Sequence, residues 1–135
     1  VSDAIYPAAK EGFLSNTLNW LTDPIVCVLV GTADYTYSAA HATLADVPLA
    51  ARIAVSGTLA NRTASLGVAD ANDVTFGTVY GSVVNAVVLC SDTGTDINSP
   101  LVAYLDKAVA GLPLQPNGNP ITIAWDNGSS RIFVL

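Results

Sequence analysis

The sequence predicts a mainly β protein: an antiparallel β-sandwich or jelly-roll-like barrel of about eight strands with a short N-terminal helix, one domain over residues 1–135. Three observations predict it. Short apolar runs recur at intervals of roughly ten residues, the spacing of strands joined by tight turns. Ten of the eleven acidic residues are Asp and one is Glu, and Asp favours turns where Glu favours helices. Near the C-terminus, Asp126-Asn127-Gly128 supplies the positive φ angles that a tight hairpin needs.

Taken in order, "PAAKEGFLS" at residues 7–15 reads as the helix. Pro7 suits its first turn and Asp3 stands upstream as a cap, while Gly12 and Asn16 keep it brief. The run Ile25 to Gly31 is apolar on both faces, which calls for burial on both sides or an interface on one. Thr43 is placed to cap one helical turn before Pro48. Strands are then expected in "ARIAVSGTLA", in "RTASLGVA", from Val74 to Val79, in "SVVNAVVLC" and in "PLVAYLD". In the last, Leu101, Ala103 and Leu105 alternate with Val102 and Tyr104. The final hairpin turns at Asp126-Asn127-Gly128.

Composition narrows the function classes. A net charge of −6 with scattered basic residues disfavours nucleic acid, which wants clustered Lys and Arg. No apolar run approaches the roughly 18 residues of a membrane span, so no membrane partner is expected. The N-terminus carries no charged region followed by an apolar run, so no secretory signal is expected in this chain. Half of the residues are apolar and only 12% are charged, against a usual ~25%. Such a surplus of apolar surface points to a subunit interface, with Trp20, Tyr35 and Tyr37 as interface candidates. Cys27 and Cys90 each sit inside a strand candidate and read as buried, reduced thiols; no Cys/His spacing suggests a metal.

The tripeptide Asp92-Thr93-Gly94 is the one that carries the catalytic aspartate of aspartic proteases, where two carboxylates share one proton. A chain with one copy would have to work as a homodimer. The tripeptide comes late here, and the apolar-apolar-Gly segment such an enzyme needs has only Val109-Ala110-Gly111 as a candidate. A strand ending at Cys90 and a turn built on Asp92, Gly94 and Asp96 explain the same residues. Asp92 and Asp96 are also weak candidates for a Ca²⁺ loop, short of the usual oxygen ligands. His41, the single histidine, reads as a hydrogen-bonded structural residue. Asn61-Arg62-Thr63 and Asn127-Gly128-Ser129 fit the glycosylation pattern, without a signal to give it meaning. Trp20, Trp125 and the five tyrosines serve either as core and interface residues or as a carbohydrate platform. No nucleophile elbow is present. The chain is therefore read as a non-enzyme without cofactor, and no small-molecule ligand is expected.

Five stretches carry a resemblance: "TADYTY", "LADVPLAARIAVSGTLANRT", "GVADANDVTF", "VVLCSDTGTDINSPLVAYLD" and "LPLQPNGNPITIAWDNGSSRIFVL". In this order, over most of the chain, they resemble small virion structural proteins of tailed bacteriophages. The chain departs from that pattern at Cys90-Ser91, where a bulkier residue is expected before Asp92. The resemblance implies a virion structural protein made in the host cytoplasm, with no catalytic residues to carry over. The leading expectation is a capsid decoration (cement) protein on the capsid exterior, a homo-oligomer with a trimer favoured, partnered by the major capsid protein. A tail or receptor-binding component that recognises sugars is the alternative, and an aspartic-protease-like homodimer the remote one.

Overall fold

In the computed structural model, which describes residues 4–106, 112–125 and 132–134, the elements follow in this order: strand β1 (Ala4–Ile5), helix α1 (Pro7–Leu14), and strands β2 (Ile25–Val30), β3 (Arg52–Val55), β4 (Thr63–Ser65), β5 (Val68–Asp70), β6 (Val74–Thr78), β7 (Ala86–Ser91), β8 (Leu101–Leu105), β9 (Pro120–Ile123) and β10 (Phe133–Val134). Single 3-10 turns lie at Leu44–Asp46, Leu49–Ala51 and Asp96–Asn98. Every strand pairing among the described residues is antiparallel.

The expected sandwich or jelly-roll-like barrel is not what forms. The strands divide into a five-stranded sheet ordered β1-β8-β7-β2-β3, a three-stranded sheet ordered β10-β5-β4 and a two-stranded pair β6-β9, and none closes on itself. The reason lies in strand length. Closure needs two edges that can pair along their length. The large sheet is flanked by a two-residue strand on one side and a four-residue strand on the other. The intervening chain, turned at Gly67 and bulged around Gly77, yields strands of three to five residues that pair with one another or with β9 and β10 and not with the large sheet.

Strands β2, β7 and β8 are buried along their whole length. Successive side chains of a strand point to opposite faces, so both faces of this sheet centre are covered, as the unbroken apolar run in β2 requires. Register fixes which residues share a face. Cys27 is opposite Leu89, and Cys90 is opposite Val26, so the two thiols project to opposite sides of the sheet. A bulge between Leu89 and Cys90 shifts the start of β8 by one residue.

Much of the covering comes from chain outside the large sheet. Helix α1 packs on β8, with Pro7 in its first turn and Tyr6 at the N-cap; Asp3, expected as the cap, lies outside the described residues. The helix stops where Asn16 takes φ +63°, and the chain folds back so that Thr17 and Leu18 donate to the Gly12 carbonyl. A Cβ at Gly12 would meet Leu18 Cδ1 at 2.9 Å, so the absent side chain lets Leu18 pack against the helix. Trp20 sits edge-on to Phe133, centroids 5.2 Å apart, and its indole N–H is shared between the carbonyls of Thr63 and Asp70. That contact docks the β10-β5-β4 sheet. The connection from β2 to β3 returns beside the start of β8, where Leu44 donates to Ser99 and Leu101 to Ala42. The turn at Thr43 forms as expected, held by the Asp46 carboxylate, which accepts from the Ala42 and Thr43 N–H groups.

Much of the apolar surplus is buried inside the chain. The accessible surface is 6610 Å², and an ordinary monomer of this mass exposes about 6,700 Å². The expected hairpin at Asp126-Asn127-Gly128 and the segment Val109-Ala110-Gly111 lie outside the described residues, as does the Asn127-Gly128-Ser129 site.

Candidate functional site

The carboxyl ends of β2 and β8 and the amino end of β7 meet at one end of the large sheet, because β7 runs between them and antiparallel to both. A cavity of about 290 Å³ opens there, lined by Thr32, Tyr35, Thr36, Tyr37, Asn85, Tyr104 and Asp106. Thr32 and the two tyrosines of "DYTY" follow β2, Asn85 immediately precedes β7, Tyr104 lies near the end of β8 and Asp106 just follows it. Three neighbouring strands therefore set the spacing of the wall. The Asn85 carboxamide oxygen accepts from the Thr32 N–H at 3.0 Å, while its own N–H donates to Val30. The first bond orients the carboxamide, and the second, from the backbone N–H, holds the Asn85 main chain beside β2.

The tyrosines are fixed as a group. Tyr37 lies 5.1 Å from Tyr6 and 5.4 Å from Tyr104, centroid to centroid, and Tyr35 lies 6.2 Å from Tyr104. These are tilted pairs within the range at which aromatic quadrupoles attract. The Tyr35 hydroxyl is 2.6 Å from that of Tyr6 and 2.9 Å from His41 Nδ1. With neutral His41 accepting at Nδ1, the donors run from Tyr6 to Tyr35 to His41; a protonated imidazole reverses the order. Burial pushes the Tyr6 and Tyr35 phenols above their ordinary range; the hydrogen bond between them raises Tyr6 further and favours ionised Tyr35. Tyr104 is raised by burial, and then by the neighbouring Asp106 charge.

Of the residues that sequence reasoning singled out, Tyr35 and Tyr37 line this cavity and the others lie elsewhere. Asp92 makes a turn: its Oδ1 accepts from the Gly94 N–H at 2.9 Å, with Gly94 at φ +90°. Thr93 donates to the buried Ser99 hydroxyl, which donates to the Thr95 carbonyl. Asp96 turns to a different partner, Arg52, at 2.8 Å. Among the described residues, no group of three or more His, Cys, Asp or Glu is placed to hold a metal. Trp20 and Tyr35 are buried within the chain's own core; Tyr37 is half-buried on the cavity wall. His41 is tied to Tyr35, the structural role expected of it.

The exposed apolar side chains are a different set, chiefly Leu14, Leu49, Leu66, Tyr80 and Ile97. Leu66 is the most unusual. It is fully exposed at the tip of the β4–β5 hairpin, where Ser65 pairs with Val68 across a two-residue turn. Leu66 has φ +51° and Gly67 φ +82°. Positive φ at both positions is the hairpin turn that favours Asn-Gly, and for a residue with a Cβ the left-handed region costs on the order of 1–2 kcal/mol. No described residue covers the leucine that occupies this position. Compared with known proteins, the chain matches no family model and no curated sequence.

Proposed function

We propose that this chain is a non-catalytic structural protein of a tailed-phage virion, and that it decorates the capsid exterior by surface contact with the major capsid protein. One observation carries the contact reading: Leu66 is held fully exposed in a backbone conformation that suits Asn or Gly. A leucine gains nothing inside the fold at that position. A partner surface that buries it gains most of a leucine's transfer energy, about 1.5–3 kcal/mol. Leu49 and Ile97, exposed on two turns joined through the Arg52–Asp96 pair, supply further apolar contact on a rigid support. The five stretches that resemble small phage virion proteins support the assignment to a virion.

The mechanism is linkage: a subunit that binds only the assembled lattice stabilises it by RT ln(1 + [L]/Kd) per site. A trimer at the local three-fold positions of a shell is the arrangement we favour, since closed symmetry matches one small protein to several capsid subunits. Copy number tests the placement. The protein is quantified against the major capsid protein in purified particles, before and after removal of tails. A ratio set by the shell, retained on tailless heads, is the expected result. A ratio typical of tail components, lost with the tails, places the chain in the tail instead.

A further inference from the structure

The cavity at the end of the large sheet has a chemistry that the contact function does not use. Its wall offers the hydroxyls of Thr32, Thr36, Tyr37 and Tyr104 and the NH₂ group of Asn85. No hydrogen bond joins these hydroxyls or this NH₂ group to another described residue, whereas the Tyr35 hydroxyl beside them is doubly engaged. The wall therefore mixes groups that can donate and accept with a donor-only amide. Between the polar groups stand aromatic rings, whose negative faces attract the weakly positive C–H groups of a saturated ring. The net charge of −6 opposes an anion. The volume, about 290 Å³, is at the small end of ligand sites.

We infer that this cup binds a neutral pyranose sugar, as a free monosaccharide or as the terminal residue of a glycan. A hydroxyl-rich ring matches the polar groups in number and kind, and its C–H face suits the half-buried ring of Tyr37. The Asn85 NH₂ donates to a ring hydroxyl while its carbonyl oxygen stays on Thr32. Sequence reasoning expects no small-molecule ligand; the convergence of these groups from three strands argues for one, and does so whether or not the chain sits on a virion.

The test uses the full chain, isotope-labelled, titrated with the methyl glycosides of glucose, galactose, mannose and N-acetylglucosamine. A neutral ligand of that size is expected to bind with a Kd on the order of 1 mM. The Asn85 side-chain amide and the Thr32 N–H signals should shift with at least one of these sugars. N-acetylneuraminic acid, an anion, should not shift them, and neither should glycerol, which has hydroxyls without a ring. Asn85→Asp keeps the oxygen that holds Thr32 and removes the NH₂ donor; it should weaken binding at least tenfold with an unchanged spectrum elsewhere. Thr36→Val, on the rim, is the second variant and should weaken binding without disturbing the Asn85–Thr32 link. A glycan ending in the responding sugar, tested alongside the free glycoside, separates the two sources. No response to any neutral glycoside, an equal response to glycerol, or shifts confined to residues away from the cup would each overturn the inference.

Discussion

The Arg52 guanidinium donates to Asp96 at 2.8 Å while its other nitrogens donate to the carbonyls of Leu44 and Val47 at 2.6 and 2.9 Å. One side chain thus ties the connection after β2 to the turn after β7, forty-four positions on. The ion pair is the weaker part of this clamp. Asp96 is 48% exposed against 11% for Arg52, and exposed pairs contribute roughly 0–1 kcal/mol. Asp96→Asn is expected to cost less than about 1 kcal/mol. Arg52→Ala leaves the Val47 carbonyl without its donor, while the Leu44 carbonyl still accepts from the Val47 N–H, and is expected to cost about 1–3 kcal/mol. Denaturant melts of the two variants check the order; equal losses would mean that the carboxylate contributes most of the clamp.

Asp92 is expected to behave as a turn residue. Asp92→Asn keeps the oxygen that accepts from Gly94, so stability should change by less than about 0.5 kcal/mol. Assays of peptide hydrolysis at acid pH check the protease alternative directly. Cleavage by the parent chain that disappears in the variant would restore the homodimeric enzyme reading.

The cysteines are expected to stay unbridged, because the register sends Cys27 and Cys90 to opposite faces of the sheet. Intact mass under non-reducing conditions should show both thiols free. Burial pushes the Cys90 thiol up to about 12, with the Asp92 charge adding to the effect, and burial raises Cys27 further. Their ordinary value is 9.0. Below it both folded and unfolded states hold the protons and nothing changes. Above it the unfolded chain releases them first, so stability falls as pH rises from about 9 towards 12. A Cys27→Val, Cys90→Val double variant should keep its stability further into that window. An identical alkaline decline in the variant would assign the loss to Tyr6, whose phenol burial also raises.

What the sequence made legible is local. The run Ile25 to Val30, the alternation in "PLVAYLD", Pro7 at the helix start and the turn at Thr43 are each written in consecutive residues. The division into three sheets is not, because it depends on pairings such as Phe133 with Ala69 and Ala4 with Tyr104, which no local pattern announces. The cup was illegible for the same reason: Thr32, Asn85 and Tyr104 converge only once β2, β7 and β8 are in register. The aromatics taken as interface candidates turned inward because Trp20 and Tyr35 find hydrogen-bond partners there. Leu66 carried no signal beyond the Gly67 that follows it. Its left-handed conformation is set by the two-residue turn between β4 and β5.

Leu66 also offers the most direct measurement of the contact account. Leu66→Asn suits the turn and should stabilise the isolated protein by on the order of 1 kcal/mol, raising its Tm. The same change removes the apolar contact. To test the proposed virion role, purified parent and variant are added to phage particles that lack the protein, and the bound protein is quantified after sedimentation. The account predicts a variant that is more stable and yet binds the particles at least tenfold more weakly. Binding equal to the parent's, with the turn stabilised as expected, would contradict the claim that this leucine is kept for a partner surface.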